Sequence, residues 1–372
     1  METQSRMKLP KGNVMSHSLP LDLTMEILKL LPVKTLIRFL SVSKLWASTI
    51  RSRYFMKLLL NVSLSRPKGL LFLFRHGYCG LVLSQNTHES SSFTTFQVSC
   101  HPPQLSTVSP SVHGLICYKQ STTRLVIYNP CTRRSITLPE IDTRRRSNDY
   151  YLGHDPIDND YKALCIMSGS NHDLVKEIRV LTVGKDNSWR IIENSIIIPH
   201  APFGREVCIR GVLYYQAFTR KKMSDLIIMS FDVRSEKFYS TKIPITLLRN
   251  IGTKLISYEG KLAAILVTET NVARLCVLED AAKEEWSTKI VVLSTRVDPP
   301  IHWGGQYYTT ETDTGEIIFA PHSLHASVLD LVYYDIKTNS AETVSMRGNT
   351  TDRTSYYTLS VSSNLVENLM FL

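Results

Sequence analysis

The stretch from His17 to Leu60, HSLPLDLTMEILKLLPVKTLIRFLSVSKLWASTIRSRYFMKLLL, decides how this 372-residue chain is organised. Its apolar residues recur at helical spacing, and two prolines divide it. We predict a first helix that has Ser18 as its N-cap and Pro20 in its first turn. That helix ends at Pro32, because proline lacks the N–H that would continue the hydrogen-bond ladder.

Three further short helices follow from the same periodicity. The second is predicted from about Val33 to Leu40, the third carries apolar residues from Val42 to Ile50, and the fourth begins near Tyr54. A unit of this size buries too little apolar area to be stable by itself. We therefore expect the helical unit to dock on another surface.

The run LPLDLTMEILKLLPVKTLIRFLSVSKLW, residues 19–46, resembles an F-box, the helical module that binds the Skp-type adaptor of SCF ubiquitin ligases. The alternative is an unrelated small helical hairpin. Ser43 departs from the family pattern, since many members have a cysteine there. The matching positions are Leu19-Pro20, Leu23, Glu26-Ile27-Leu28, Leu31-Pro32-Val33-Lys34, Leu36, Phe39, Val42, Lys44 and Trp46.

The resemblance implies that a set of apolar residues contacts the adaptor or shapes the surface that does. Three of them, Phe39, Val42 and Trp46, fit an internal core equally well, because apolar residues at this spacing often face inward. Through the adaptor, the chain would reach a cullin and a RING subunit. The implied set is Leu19, Pro20, Leu23, Ile27, Leu28, Pro32, Val33, Leu36, Phe39, Val42 and Trp46.

The formal net charge of +10 is concentrated at the N-terminal end. Residues 1–60 contain ten lysines and arginines but three acidic residues, whereas the other 312 residues contain 33 basic and 30 acidic ones. A nucleic-acid-binding domain would place its basic residues on the larger domain, so nucleic acid is not the expected partner. Skp-type adaptors are acidic as a family, and a basic module would associate faster with an acidic partner. The alternative, for any single lysine, is that it lies on a solvent-exposed helix face and contacts no partner.

Composition points to an intracellular protein, in the cytoplasm, the nucleus or both. The hydrophobic content of 43% and charged content of 20% are typical of soluble globular proteins. The apolar run Gly69–Phe74 is too short to span a bilayer, and no membrane association is expected.

Seven scattered cysteines without a CxxC pair argue against a disulfide scaffold and a zinc site, and no cofactor is expected.

The chain beyond the helical stretch contains an internal repeat. The segments YNPCT from Tyr128, FDVRS from Phe231 and YDIKT from Tyr334 share an aromatic residue, Asn or Asp, and Ser or Thr at fixed positions, 103 residues apart. Each follows a short apolar run, and different turns leading to Trp189 and Trp286 lie about halfway between them. Asn and Asp side chains build such turns by accepting from the backbone two residues on. The repeat period is therefore near 50.

Repeats of this length with several short strands predict a kelch-like β-propeller of five or six blades, in which the two ends of the β region pair to close the ring. A two-sheet β-sandwich is the competing fold. The expected organisation is a disordered tail at 1–16, an F-box at 17–62 and a β domain at 66–372.

The β region also resembles the F-box-associated domain of large plant F-box families. The resemblance implies that this domain binds a protein substrate. The matching pieces are Ser111–Cys117, Tyr128–Arg133, Leu138-Pro139, Leu152–Pro156, Tyr161–Leu164 and Trp189-Arg190.

The sequence contains no glycine-rich phosphate loop and no nucleophile elbow. Two basic runs, 144–146 and 220–222, fit solvated loops, a nuclear-import signal or a contact with an acidic substrate. His322 and His325 are weak metal-ligand candidates, and His154-Asp155 with Asp158 and Asp160 fits a turn better than a catalytic pair.

The favoured function is a non-catalytic substrate receptor of an SCF-type ligase. The alternatives are an adaptor-bound scaffold outside a ligase and a propeller that is an enzyme or binds a ligand.

Overall fold

Four helices precede a region made of strands. In this computed structural model, the helices are α1 (Leu21–Leu28), α2 (Val33–Phe39), α3 (Lys44–Arg51) and α4 (Arg53–Leu64). None of the described helices is long and apolar enough to cross a bilayer. The residues that the structure describes are 19–76, 78–84, 94–96, 109–121, 123–142, 147–169, 174–193, 196, 198–219, 225–244, 246–247, 252–267, 272–292, 307–324, 328–347 and 357–370. The predicted tail at 1–16 and both basic runs lie outside them.

The helix boundaries correct three details of the prediction. The first helix ends at Leu28, before Pro32, and Pro32 is the N-cap of α2. Pro20 is the N-cap of α1 rather than a residue of its first turn, and its carbonyl accepts from both the N–H and the hydroxyl of Thr24, at 3.0 and 3.2 Å. Ser18, the predicted cap, is outside the described residues. The Ser43 side chain caps α3, so Val42 lies just before the third helix instead of within it.

The strands in the described ranges form six antiparallel sheets. Five sheets have four or five strands, and one has three. In chain order the strands are β1 (Gly69–His76), β2 (Tyr78–Ser84), β3 (Thr94–Phe96), β4 (Ile116–Lys119), β5 (Leu125–Asn129), β6 (Arg134–Thr137), β7 (Ser147–Asp155), β8 (Asp160–Ser168), β9 (Val175–Thr182), β10 (Arg190–Ile191), β11 (Ala201–Ile209), β12 (Val212–Phe218), β13 (Leu226–Asp232), β14 (Phe238–Lys242), β15 (Lys254–Tyr258), β16 (Lys261–Val267), β17 (Val272–Asp280), β18 (Glu285–Val292), β19 (Tyr307–Glu311), β20 (Ile317–Pro321), β21 (Ser323–Leu324), β22 (Val328–Asp335), β23 (Ser340–Arg347) and β24 (Tyr357–Leu365).

Each sheet packs against the next, which makes a ring rather than a sandwich. A separate apolar cluster lies between each sheet and the next. The clusters join β4–β6 to β7–β9, β7–β9 to β12–β14, β12–β14 to β15–β18, β15–β17 to β19–β22, and β19–β22 to β1 and β24. In a sandwich, two sheets would share one core between their inner faces. The structure therefore confirms the predicted β-propeller, with five full blades and one smaller three-stranded sheet.

The ring closes by pairing of the two ends of the β region. The strand order of the closing sheet is β21-β24-β1-β2-β3, and β24 pairs antiparallel with β1, with Phe72 opposite Val361. The Ser111 N–H, just before the three-stranded sheet, donates to Ser362 Oγ at 3.1 Å. The predicted end pairing is confirmed.

The repeated Asn and Asp residues build the turns, as predicted. Asn129 Oδ1 accepts from the Cys131 N–H at 2.9 Å, and Asp335 Oδ1 accepts from the Lys337 N–H at 2.8 Å. These turns occur at equivalent places in different sheets. The sequence repeat thus reflects a need for tight turns.

A central cavity of about 140 Å³ is lined by residues of β11, β15, β19 and β24, which we call the inner strands. Glu206 of β11 lies there with 6% of its surface exposed. Burial raises the pKa of its carboxyl to about 7, because a low-polarity surrounding disfavours the charged form.

We predict that Glu206→Gln stabilises the protein at alkaline pH. In wild type, the unfolded chain ionises this carboxyl near pH 4.5 while the folded chain keeps its proton to about pH 7, so stability falls across that window. The variant should match wild type near pH 4.5 and exceed it by about 3 kcal/mol at pH 8. Urea unfolding at several pH values measures this difference. A constant difference between the two proteins across the window would contradict it.

Candidate functional site

One face of the helical unit forms a closed apolar core. Leu28, Val33 and Leu36 are buried there. The core is completed by two residues from the β region, Leu369 and Cys131. The predicted docking of the helices is thereby seen within the chain itself. The fully buried members are Leu28, Val33, Leu36, Ile50, Phe55, Leu59 and Leu369.

The opposite face of α1 carries exposed apolar side chains. Leu23 and Ile27 lie one turn apart on α1, so they share one side of the helix, and Leu19 just before α1 and Leu30 just after it continue the same three- and four-residue spacing. About half or more of each side chain is exposed, from 51% for Ile27 to 66% for Leu30. A contiguous exposed apolar stripe of this kind marks an interaction surface. We call these four residues the α1 stripe.

The residues predicted from the F-box resemblance separate into three groups. Leu28, Val33 and Leu36 lie in the core and can only shape the surface from beneath. Phe39 and Trp46 are half-buried, with ring centroids 4.8 Å apart. The exposed group is Leu19, Pro20, Leu23, Ile27, Pro32 and Val42.

Four exposed apolar residues were missing from the predicted set: Leu21, Leu30, Leu45 and Tyr54. Leu30 and Leu45 show the helical periodicity that identified the other residues. Periodicity alone does not say which apolar face of a short helix turns outward when several neighbours compete for it. Only the structure shows that these four side chains are exposed.

The surroundings of the α1 stripe are basic. Lys34, Arg38 and Lys44 are exposed, as are Arg51 and Arg53 on the later helices. The nearby acidic residues on α1 are Asp22 and Glu26, and Glu26 is paired with Lys29 at 2.6 Å. The surface therefore combines apolar contact area with a positive field.

The C-terminal segment, residues 366–370, fixes the helices to the propeller. Glu367 accepts from the Val33 N–H at 3.0 Å, at the start of α2, and its other oxygen lies 3.4 Å from Arg66 Nη1. Leu369 enters the helical core. Lys57 of α4 also donates to the Ile157 carbonyl at 2.8 Å. The helical unit is thus held in a defined orientation.

Asn368 joins the same segment to the turns of the propeller. Its side-chain nitrogen donates to the His113 carbonyl and to the Tyr161 hydroxyl, each at 3.0 Å. The backbone carbonyl of Asn368 accepts from the Asn129 side-chain amide at 3.0 Å. Gly114 is needed beside it, since a Cβ there would lie 2.3 Å from the Val366 carbonyl oxygen and its φ is +81°.

Two histidines border this junction, the half-buried His113 and the buried His154. The ring centroids of His113 and His154 are 4.3 Å apart. Burial, assisted by the charges of His154 and Lys68, lowers the pKa of His113 to about 3. The neutral ring therefore stabilises the fold at neutral pH. That contribution is lost as the pH falls from the ordinary histidine pKa toward 3.

Other predicted features have structural roles. Asp155 Oδ1 accepts from the Ile157 N–H at 2.9 Å, and His154 Nε2 lies 2.8 Å from Asn159 Oδ1, so this segment is a turn, as predicted. His322 stacks on Tyr308, and His325 is outside the described residues. Within the described part of the chain, no group of three His, Cys, Asp or Glu side chains could hold a metal ion.

Family comparisons match both parts of the chain. Residues 16–58 match the F-box domain, and residues 69–366 match the F-box associated beta propeller domain. The second match covers most of the chain. The F-box match ends within α4, and the propeller match begins at the first residue of β1.

The curated relatives are plant proteins. A putative F-box protein of Arabidopsis thaliana is 48% identical over 100% of this chain and 92% of its own length. An F-box protein of the same organism is 41% identical over 96% of this chain and 95% of its own length. Among solved structures, a putative 6-phosphogluconolactonase of Bacteroides fragilis aligns with a TM-score of 0.44 and 10% identity, over 79% of this chain and 98% of that one. That likeness is too distant to bear on function.

We predict a large loss of stability from a substitution in the core of the helical unit and almost none from one on the α1 stripe. Leu36→Ala opens a cavity in the core and should lower the free energy of unfolding by about 2–5 kcal/mol. Ile27→Ala, on the α1 stripe, should change it by about 0.5 kcal/mol or less. Urea unfolding followed by circular dichroism compares them. Equal losses for both variants would mean that the α1 stripe is not a free surface.

We predict that Asn368→Ala loosens the helical unit from the propeller. The substitution leaves the Tyr161 hydroxyl and the His113 carbonyl without this donor, at a cost of about 1–3 kcal/mol. Limited proteolysis should then cut between α4 and β1 faster than in wild type. Asn187→Ala, in an exposed turn, is the matched control and should leave the rate unchanged. A rate like that of wild type for Asn368→Ala would contradict the proposed role of the segment.

Proposed function

Because the chain belongs to the plant F-box proteins that carry an F-box-associated β-propeller, we propose that it is the substrate-recognition subunit of an SCF-type ubiquitin ligase. The observation that carries the proposal is the α1 stripe. Its residues are exposed although the core of the helical unit is complete without them. An apolar face that the fold itself leaves uncovered fits a protein partner.

The partner proposed for the α1 stripe is a Skp-type adaptor. Leu23 and Ile27 would enter its apolar groove, which is the helix-in-groove mode of recognition. The buried Leu28, Val33 and Leu36 would hold the exposed side chains in place from below. The exposed basic residues of the helices would speed association with an acidic adaptor. Cullin and the RING subunit would be reached through the adaptor.

The substrate is proposed to bind the propeller face that points away from the helices. The helices contact the side that contains the short turns, since Lys57 of α4 donates to the Ile157 carbonyl in the turn between β7 and β8. At the opposite ends of the strands the separation along the chain is longer, with seven residues between Phe218 of β12 and Leu226 of β13. Connections on a rigid scaffold are where propellers place recognition.

The proposed contribution to ubiquitin transfer is proximity, without a covalent step on this chain. A substrate held on the propeller is kept near the ubiquitin-loaded enzyme, so the transfer becomes effectively intramolecular. The fixed junction at residues 366–370 supports this role, because the distance between adaptor and substrate is then set by the fold.

We predict that replacing Leu23 and Ile27 together by aspartate abolishes adaptor binding while the fold is retained. Two charges would be buried at the contact, which lowers affinity by several orders of magnitude. Co-expression of the full chain with a Skp-type adaptor, followed by size-exclusion chromatography, measures co-elution. The matched control is Ile290→Asp on β18, where the side chain is 67% exposed and far along the chain from the helices.

The control should co-elute with the adaptor as wild type does. If folded wild type fails to co-elute, or if the double variant binds equally well, the ligase proposal is wrong. Binding of the adaptor without recruitment of cullin would instead support a scaffold outside a ligase.

A further inference from the structure

The strand β11, which lines the central cavity, has an irregularity that β15 and β19 lack. Its pairing with β12 shifts register between Phe203 and Val207, and Gly204 has a φ of +74°. By contrast, β15 and β19 pair with their neighbours in unbroken register. Bulges of this kind re-aim side chains and are frequent beside binding sites. The residues of this bulge line the central cavity of about 140 Å³.

Four buried polar atoms on the cavity-lining residues have no hydrogen-bond partner among the described residues. Two belong to neighbouring strands of one sheet, one lies directly before β15, and one lies on β19. They are Glu206 Oε1, Gln216 Nε2, Thr253 Oγ1 and Thr309 Oγ1. Glu206, Gln216 and Thr253 are 6%, 2% and 1% exposed. Buried polar atoms are nearly always paired, so a cluster of such atoms around one cavity points to a polar occupant.

The charges beside the cavity favour an anionic occupant. Arg205 donates to Ser360 Oγ at 2.6 Å, and its guanidinium lies over the Tyr308 ring at 4.7 Å. Lys254 lies 5.7 Å from the centre of the Tyr307 ring and forms no ion pair within the described part of the chain. Burial and the nearby Arg205 lower the pKa of Lys254. Arg205 and Lys254 repel each other, and an anion between them would relieve this repulsion.

The hydrogen-bonding groups point to the same chemistry. The Gln216 amide nitrogen is a donor, and the two threonine hydroxyls can donate. Burial raises the pKa of Glu206 to about 7, so below that pH its carboxyl can also donate a proton to an oxygen. A cavity rich in donors and cations fits an oxyanion group.

We propose that the central cavity binds a compact molecule that carries one oxyanion group, a carboxylate or a phosphate, and has about six non-hydrogen atoms. The size follows from the volume, since a cavity near 150 Å³ accommodates a molecule the size of benzene. This site is distinct from the α1 stripe and does not depend on the ligase proposal. An occupant there would touch four different inner strands and so stabilise the closed ring.

The test is isothermal titration calorimetry of the full chain at about pH 6, where Glu206 is mostly protonated. The probes are lactate, inorganic phosphate and glycerol. Lactate and glycerol have the same number of non-hydrogen atoms and differ in charge. Lactate or phosphate should bind with a dissociation constant of about 1 mM or tighter, and glycerol should bind at least about tenfold more weakly. Comparison of the two anions distinguishes a carboxylate from a phosphate.

Lys254→Met removes the charge and keeps most of the side-chain length. It should weaken anion binding by about tenfold or more. Lys289→Met is the matched control, because Lys289 also lies over a tyrosine ring, that of Tyr258, but does not line the cavity. If Lys254→Met does not fold, Thr309→Val on a different strand replaces it and should also weaken binding. The proposal is overturned if neither anion binds, if glycerol binds equally well, or if a folded cavity variant binds as wild type does.

Discussion

The contact on which the two-part structure depends is made by five residues near the C-terminus. Asn368 is buried between the turns of the propeller, while Glu367 and Leu369 on either side of it reach the helical unit. The segment follows directly after β24, the strand that closes the ring with β1. Closure of the propeller and placement of the helices are therefore coupled through one stretch of backbone.

This coupling explains how a small helical unit is stable. Its helices span seven to twelve residues each, which is short for independent folding. Leu369 and Cys131 supply the missing part of the core. Because the propeller covers the inner face, the outer face is left for a partner. The same rigid junction would transmit a fixed geometry from the adaptor to a substrate on the propeller.

Much of the architecture could be predicted from local sequence patterns. Helical periodicity with Pro20 located the start of the first helix, and the recurring Asn and Asp turns at Asn129 and Asp335 identified the repeat. These features depend on interactions between residues that are close in the chain. The family resemblance added the identity of the helical unit, which periodicity alone could not supply.

The parts that could not be predicted depend on contacts between distant residues. Leu28 and Ile27 are adjacent and equally apolar, yet one is buried and the other half exposed, because the neighbours that cover Leu28 come from α2, α4 and residue 369. The role of Asn368 rests on partners more than 200 positions away. The polar cavity likewise gathers Gln216 of β12, Thr253 just before β15 and Thr309 of β19.

Hydrogen–deuterium exchange of the full chain, with and without a Skp-type adaptor, tests the central claim most directly. The account predicts that added protection is confined to residues 21–51, which form α1 to α3, and that the propeller strands are unchanged. Protection that is absent from α1, or that falls mainly on the propeller, would contradict the claim that the α1 stripe is the docking face.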